Sequence, residues 1–198
     1  MIEIVSHSES LASRVVELIV EIQREEFRFN IGAEDQPDLL DVANFYQTGA
    51  GNFWVALLGD EVVGTIALRD IGKNQGALRK MFVKATHRGK EHRVASRLLE
   101  RLVLSATGAQ VRDLYLGTTE KFVAAHRFYE KNGFVQVAAE VLPETFPRMS
   151  LDTRFYHRAL LSVDGPMERG RVAMRPISSL PIVAIDATDV FGKRMRVQ

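Results

Sequence analysis

Cysteine is absent from the sequence. Its absence excludes disulfide bridges, thiolate nucleophiles and cysteine-based zinc sites, and it suits either redox environment. The five histidines supply no alternative metal site, because no two of them have the i, i+4 spacing beside an acidic residue that presents two ligands on one helix face. We therefore expect no bound metal.

An excess of one charge is also lacking, since 26 Lys and Arg residues face 25 Asp and Glu residues. A protein that mainly neutralises a nucleic-acid backbone carries a larger basic excess. Long apolar runs are missing too: even residues 53–58 are far too few to cross a bilayer, and the chain does not start with a basic segment followed by an apolar one. The sequence predicts a cytoplasmic protein with neither a nucleic-acid nor a membrane partner.

The apolar residues that are present, 46% of 198, suffice for one sizeable core, so a single domain is expected. Residues 2–5 favour a first strand. Leu11, Val15, Ile19 and Ile22 then recur at helical spacing. The start of the chain therefore predicts a strand followed by an amphipathic helix.

The middle of the chain predicts a second, shorter helix and then an antiparallel meander. The helix is expected from Asp35 to about Tyr46, with a proline in its first turn. Residues 53–58, 61–68 and 77–83 are strand-like runs separated by turn-forming residues. Three consecutive antiparallel strands follow from this pattern.

At Val94 the hydrophobic period changes from two residues to 3.6, which is typical of a helix with one buried face. A strand at 111–116, a helix at 122–131 and a strand at 133–137 are expected next. Residues 151–161 favour one last strand. The domain is therefore predicted to span residues 1–161.

The pattern weakens over residues 162–198, where glycine and proline interrupt the chain. Two interpretations stay open. A poorly ordered extension is favoured, because chain ends commonly lack order. The alternative is a strand that binds a partner or is exchanged in a dimer, so the role of this C-terminal extension stays unknown.

A basic loop precedes the helix that begins at Val94. A helix N-terminus presents free backbone N–H groups and the positive end of the helix dipole, so an anion binds well there. From charge alone, a solvated basic loop is the alternative interpretation. The basic residues around this point are Arg88, Lys90, His92, Arg93 and Arg97.

Followed by Leu98 and Leu99, this loop resembles the acyl-coenzyme A pyrophosphate loop of the Gcn5-related N-acetyltransferases (GNAT). The family pattern is Gln or Arg, two variable residues, Gly, one variable residue and then Gly or Ala. Aligned through the leucines, Lys90 takes the first position, Arg93 the first Gly position and Ala95 the last. The resemblance implies cofactor contacts from Arg88, Gly89, Lys90, Glu91, His92, Arg93, Val94, Ala95 and Ser96.

Arg93 replaces a glycine that lets backbone approach phosphate closely. Its side chain either turns outward or contacts phosphate itself through the guanidinium group. We expect weakened but retained binding of the cofactor.

A second segment, Ala125 to Phe134, matches the family pattern Ala, two variable residues, Leu or Phe, Tyr, one variable residue, Lys, one variable residue and Gly-Phe at every position. In the family this helix flanks the pantetheine arm, and the Asn that often precedes it is Phe122 here. The resemblance covers roughly residues 2–161. It implies cofactor contacts from Thr118, Arg127, Phe128 and Lys131.

The resemblance also implies that Tyr129 lies near the cofactor sulfur and assists departure of the thiolate. An aromatic ring packed under the helix is the alternative. Proton transfer from a phenol of pKa about 10 to a thiolate whose acid has a pKa of about 8.5 is uphill by roughly 2 kcal/mol, so Tyr129 is expected to act as a hydrogen-bond donor. The resemblance further implies that a strand containing Met81, Phe82 and Val83 splays from its neighbour. The backbone of this strand is expected to pair with pantetheine and to polarise the acetyl carbonyl.

The amine must lose a proton before it attacks, so a base or a water chain to one is required. Glu120 is the preferred candidate for this base because it follows a strand end. Glu26, Asp152 and Tyr156 are further candidates, assigned to the substrate side of the site. For each carboxylate, a cap, an ion pair or a solvated group is the competing interpretation.

The fold implied by the resemblance is α/β (α+β), with a mixed, mostly antiparallel sheet of about six or seven strands between helices on both faces. The leading hypothesis is an enzyme that moves an acetyl group from acetyl-CoA to a primary amine of a small molecule by direct attack. The alternative is a catalytically silent module of the same fold that binds or senses acyl-CoA. A homodimer paired through the last strand stays open.

Overall fold

The computed structural model describes residues 1–160, and the extension expected from residue 162 lies outside them. In the described part, seven strands form one sheet in the order β1-β2-β3-β4-β5-β7-β6. Only β4 and β5 pair in parallel, and all other neighbours are antiparallel. The strands are β1 (Ile2–Ser6), β2 (Asn52–Leu58), β3 (Glu61–Asp70), β4 (Gln75–Val83), β5 (Asp113–Thr118), β6 (Val135–Val137) and β7 (Arg154–Ala159).

The helices of the described part occupy the intervals that the periodicity predicts. A π-helical turn, Ile22–Glu26, extends the first of them. The α-helices are α1 (Ala12–Glu21), α2 (Pro37–Leu40), α3 (Val42–Tyr46), α4 (Val94–Gly108) and α5 (Val123–Lys131).

The single helix expected from Asp35 to Tyr46 is two short helices, so that prediction is wrong in detail. The break is at Asp41, whose backbone is not helical. Its carboxylate accepts a hydrogen bond from the Asn44 backbone N–H at 3.3 Å and caps α3. Aspartate competes in this way for backbone donors, and it therefore ends one helix and begins the next.

Helices cover both faces of the sheet. Along β2, Trp54 and Ala56 belong to the cluster that contains the apolar face of α4, whereas Phe53 and Val55 belong to the cluster that contains α1 and α3. All four side chains are fully buried. Because both faces of β2 are buried, its sequence is a continuous apolar run instead of an alternating one.

The pairing of β4 with β5 ends early. Three residue pairs, over Gln75 to Ala77 of β4, join the two strands in parallel. Yet β4 continues to Val83 and β5 to Thr118, while β7 pairs with the other edge of β5. The two strands therefore separate and leave a gap between unpaired backbone edges, which is the splay that the family resemblance implies.

A β-bulge lies in β4 beside this gap. Between the pairs Thr65↔Phe82 and Ala67↔Arg79, one residue of β3 faces two residues of β4, Lys80 and Met81. Lys80 has a positive φ of 49°, and its carbonyl accepts a hydrogen bond from Thr65 Oγ1 at 2.8 Å. A bulge redirects the side chains around it, so the local order of residues in β4 departs from simple alternation.

Helix α4 is expected to contribute to stability through its buried face alone. Leu98 is fully buried, whereas Leu104 on the same helix is 67% exposed. Leu98→Ala should lower the free energy of unfolding by about 2–5 kcal/mol because it leaves a cavity. The control Leu104→Ala should change it by less than about 0.5 kcal/mol. Denaturant titration measures both, and equal losses would contradict the packing described.

Candidate active site

A cavity of about 470 Å³ lies where β4 and β5 separate. It is bounded by the end of α1 and the following loop, by β4, by the end of β5 and the start of α5, and by the loop before β7. Five residues selected from the sequence line it: Met81, Phe82, Thr118, Tyr129 and Asp152. Chain segments distant in sequence thus meet at one site.

The N-terminus of α4 presents unpaired backbone donors. The first helical hydrogen bond runs from the Arg97 N–H to the Arg93 carbonyl, at 2.9 Å, and no side chain caps the helix. Within residues 1–160, the backbone N–H groups of Val94, Ala95 and Ser96 have no acceptor. This arrangement fits a phosphate group, which supplies the acceptors and benefits from the helix dipole.

Arg93 precedes this helix in the left-handed conformation, with φ 50° and ψ 26°. Glycine adopts that conformation at no steric cost, which agrees with the alignment of Arg93 on a glycine position of the family. The guanidinium group turns outward and donates to Glu100 Oε1 at 3.2 Å, and both side chains are largely exposed. Of the two orientations considered for this residue, the structure has the outward one.

Arg88 and Glu26 are brought together, although neither lines the cavity. The two guanidinium nitrogens of Arg88 donate to the Glu26 carboxylate at 2.7 and 2.8 Å, and its Nε donates to the Val83 carbonyl at 2.8 Å. This ion pair ties the turn after α1 to the end of β4. Around it, Gly89 has a φ of 98°, Lys90 and Glu91 are exposed, and His92 contacts His87 with ring centroids 5.2 Å apart.

Tyr129 lies at the wall of the cavity and is 6% exposed. Its ring packs edge-on against Phe134, with centroids 5.7 Å apart. Its hydroxyl forms no hydrogen bond within residues 1–160, so it is available to a ligand. Burial raises the pKa of the Tyr129 hydroxyl well above its usual range, and the neighbouring Tyr156 raises it further.

Besides Glu26, two of the residues assigned to catalysis and substrate binding do not line the cavity. Glu120 has a 70% exposed side chain, 3.9 Å from the Arg154 Nε. Tyr156 is fully buried beneath α5, where its hydroxyl donates to Glu130 Oε1 at 3.1 Å. Arg127 and Lys131 are exposed on α5, and Phe128 packs partly against the core.

Asp152 is the carboxylate of the sequence candidates that does line the cavity. Its Oδ2 accepts a hydrogen bond from the Met149 backbone N–H at 3.0 Å. It lies against Gly117, where a Cβ atom would overlap the carboxylate, so the missing side chain makes room for it. Burial raises the pKa of Asp152 above its usual range, although the Met149 N–H and Arg79 act in the opposite direction.

Sequence reasoning missed two cavity residues, Arg79 and Lys80. The Lys80 side chain is 7% exposed, and its Nζ lies 3.1 Å from Asp38 Oδ1 and donates to Gln36 Oε1 at 2.7 Å. Asp38 also accepts a hydrogen bond from the Tyr46 hydroxyl. The available signal was the pair of consecutive cations inside an apolar strand, which is unusual for a half-buried sheet surface.

Aromatic side chains close one side of the cavity. Phe122, at the position where the family often has Asn, contacts Phe27 with ring centroids 4.2 Å apart. Phe29 lies 6.1 Å from Phe122 and carries Lys121 Nζ over its ring at 4.8 Å. These rings cover the side of the site next to the start of α5 with apolar surface.

In residues 1–160, no three His, Asp or Glu side chains are grouped so that they would hold a metal ion. In the same range, none of the helices combines the length and apolar character needed to traverse a bilayer.

The left-handed conformation of Arg93 has a measurable cost. Arg93→Gly should be more stable to unfolding than Arg93→Ala by about 1 kcal/mol, because only glycine relieves the strain. Both variants lose the exposed contact with Glu100, so that contact cancels in the comparison. Denaturant titration gives the difference, and equal stabilities would mean that the backbone there is unstrained.

The model of the acetyltransferase (GNAT) family matches residues 16–134, more than half of the chain. The N-acetylaspartate synthetase of Xenopus tropicalis is 36% identical over 102 residues, which are 50% of this chain and 37% of that protein. The chain thus spans little more than a third of that relative's length.

Two solved structures have the same fold. The GNAT-family acetyltransferase of Staphylococcus aureus Mu50 is 35% identical, with a TM-score of 0.78 over 81% of this chain and 100% of that one. The PaiA N-acetyltransferase of Thermoplasma acidophilum, solved in complex with coenzyme A, is 15% identical, with a TM-score of 0.62 over 81% of this chain and 99% of that one. The more distant structure supports the fold alone. Because the family model matches more than half of the chain, the chain belongs to the acetyltransferase (GNAT) family.

Proposed function

We propose that the protein transfers the acetyl group of acetyl-CoA to a primary amine of a small molecule, by direct attack of the amine on the thioester carbonyl. The observation that carries this proposal is the gap between β4 and β5, which opens into a cavity lined by both Tyr129 and Asp152. Membership of the GNAT family supports it. The amino-acid product in the name of the Xenopus relative supports a small-molecule acceptor.

The residues present fit acetyl-CoA at two points. The free N–H groups of Val94, Ala95 and Ser96 would hold the pyrophosphate, with the basic loop beside them. The unpaired edge of β4 at Met81, and with it Phe82 and Val83, would pair with the pantetheine arm as an added strand does. Bound there, acetyl-CoA supplies an activated acyl group. The family pattern adds Thr118, Arg127, Phe128 and Lys131 along the same arm.

Tyr129 would donate a hydrogen bond to the sulfur as the carbon–sulfur bond breaks. Its raised pKa makes full proton transfer to a thiolate more costly than for a tyrosine in water. Donation without transfer avoids that cost and still stabilises the charge that develops on sulfur. The unpartnered hydroxyl in the wall of the cavity supports this role.

Asp152 would accept the proton that the ammonium loses before attack. It lines the cavity, whereas the exposed Glu120 does not, and this difference favours Asp152 over the base preferred from sequence. Its raised pKa also makes it a better base at neutral pH than an ordinary aspartate. The amine then forms its bond to the acetyl carbon while the carbon–sulfur bond breaks, and the second proton that the nitrogen loses passes to the departing thiolate, so that coenzyme A leaves as the free thiol.

Tyr129→Phe should lower kcat for thiol release by about 10- to 100-fold, because a hydrogen bond to a developing charge is lost. The affinity for acetyl-CoA should stay unchanged. Release of free thiol from acetyl-CoA is measured with a panel of primary amines. Tyr115→Phe, which alters a buried tyrosine of β5 outside the cavity lining, is the matched control. Tight binding of acetyl-CoA without thiol release on any amine would instead favour the silent module.

The pH dependence separates Asp152 from Glu120. A base with a raised pKa works only when ionised, so kcat/KM should fall as pH drops through that pKa. Asp152→Asn should lower kcat/KM by about 100-fold or more and abolish this acidic limb, while Glu120→Gln should retain it. An acidic limb lost in Glu120→Gln and kept in Asp152→Asn would return the role of base to Glu120.

The expectations of a cytoplasmic location, of no metal requirement and of a homodimer stay proposals. Fractionation of the native source, activity in the presence of a chelator and the solution mass each address one of them.

A further inference from the structure

The bulge in β4 puts two consecutive cations, Arg79 and Lys80, into the lining of one cavity. Lys80 is neutralised by Asp38 and hydrogen-bonded to Gln36. Arg79 is not neutralised, because no carboxylate of residues 1–160 lies within 4.0 Å of it. Its Nη1 donates a hydrogen bond to the Pro147 carbonyl at 3.3 Å. Lys80 is therefore occupied by its ion pair, whereas the Arg79 guanidinium group is available to a ligand.

The guanidinium group of Arg79 is half-buried in the cavity lining, and its unused donors are not enclosed by protein, so a ligand in the cavity can accept hydrogen bonds from them. Other arginines of the described part have partners of a different kind. Carboxylates pair with Arg88, Arg93 and Arg154, and phenylalanine rings lie under Arg69 and Arg148. Arg79 instead combines partial burial, a position in the cavity and free donors, which is the combination expected of a residue that binds an anionic group.

The charged lining of the cavity also shows which anion fits. Among residues 1–160 the lining contains Arg79, Lys80, Asp35 and Asp152, and because Asp38 already neutralises Lys80, the one cation left is Arg79, beside two carboxylates. A phosphate dianion would meet two carboxylates there. A zwitterion avoids this repulsion. Its ammonium group can face a carboxylate, and its own carboxylate can face the free guanidinium group in the bidentate geometry that arginine favours.

Arg79 and Asp152 supply the positive and the negative group that a zwitterion needs. Both line the cavity, and they are not within ion-pair distance of one another. The charge of Arg79 nevertheless lowers the pKa of the Asp152 carboxyl, so the two groups are close enough to interact electrostatically. A ligand with one positive and one negative group would therefore bridge them.

We propose that the acceptor is an amino carboxylate, held by its carboxylate on Arg79 with its amino group facing Asp152. This inference rests on the proposed function and adds the substrate class to it. Arg79 is a binding residue in this scheme and exchanges no proton itself, while its charge also lowers the pKa of the Asp152 carboxyl. Its competing role is structural, as a staple to the loop at Pro147.

The experiment compares glycine, L-alanine, L-aspartate and L-glutamate with the amines in which the α-carboxylate is replaced by a carboxamide. Acetylation of each is followed by thiol release, and binding of each to the CoA-saturated protein is followed by calorimetry. The variants are Arg79→Met, which removes the charge, and Arg79→Lys, which keeps it. Arg101→Met, at an exposed position of α4, is the control. Melting temperature and acetyl-CoA affinity report whether each variant is folded.

The wild-type protein should favour at least one carboxylate over its carboxamide in kcat/KM. Arg79→Met should reduce that preference at least ~10-fold, mainly through KM, and leave the carboxamide rates within about two-fold. Arg79→Lys should recover part of the preference, and Arg101→Met should keep all of it.

Two results would overturn the inference: no preference for the carboxylate in the wild-type protein, or an equal loss on both members of each pair in Arg79→Met, as a structural staple would give. If no amine is acetylated at all, the proposed function fails, and calorimetry alone decides. Carboxylates that bind the wild-type protein and not Arg79→Met would then support the anchor, and carboxylates that bind neither would remove it.

Discussion

The early end of the hydrogen bonding between β4 and β5 is the constraint on which the rest of the site depends. Backbone N–H and C=O groups demand partners, and a sheet normally supplies them along the whole strand. Here β7 pairs with the far edge of β5, while β4 from Leu78 onward faces a gap. An extended ligand that pairs with this edge would complete the sheet, so the gap in the hydrogen bonding is itself the proposed binding site.

The surroundings of β4 hold the gap in a defined shape. On the α4 side, a Cβ atom at Gly64 would lie only 3.0 Å from Val94 and 3.1 Å from Leu98, so the first turn of α4 approaches the sheet closely. On the opposite side, Lys80 is anchored in a buried ion pair with Asp38. Removing one member of such a pair leaves an uncompensated charge, which is far more destabilising than never having had the pair. The helix start and the cavity wall are thereby held against two adjacent strands, β3 and β4.

Much of the fold follows from the sequence because its signals are local. The strand-like runs over residues 53–83, separated by turn-forming residues, predict the meander, the period of 3.6 after Val94 predicts α4, and the segment at residues 125–134 carries the family resemblance. The break at Asp41 was missed because a side chain there outcompetes the helix for one backbone donor. The bulge at Lys80 was missed because it depends on register between two strands.

Within the site, the residues predicted from a family motif and the residues predicted only from their position near a strand end differ in whether they line the cavity. Tyr129 and Thr118 belong to motifs and line the cavity. From sequence, Glu120 was preferred as the base because it follows a strand end, and Asp152 was assigned to the substrate side; it is the path of the loop before β7 that brings Asp152 and not Glu120 into the cavity lining. That path brings Asp152 against Gly117, a contact between residues 35 positions apart that no local pattern encodes. The proposed role of Arg79 likewise depends on a three-dimensional fact, the absence of a carboxylate partner among residues 1–160.

The burial of Trp54 has a practical consequence. It is the single tryptophan of the chain, and its indole is fully enclosed between β2 and the apolar face of α4, with no partner for its N–H among the described residues. Its fluorescence therefore comes from one dry environment, with emission at short wavelength that moves to longer wavelength when water enters. The protein thus contains its own optical reporter for the packing of the helix whose first turn faces the proposed cofactor.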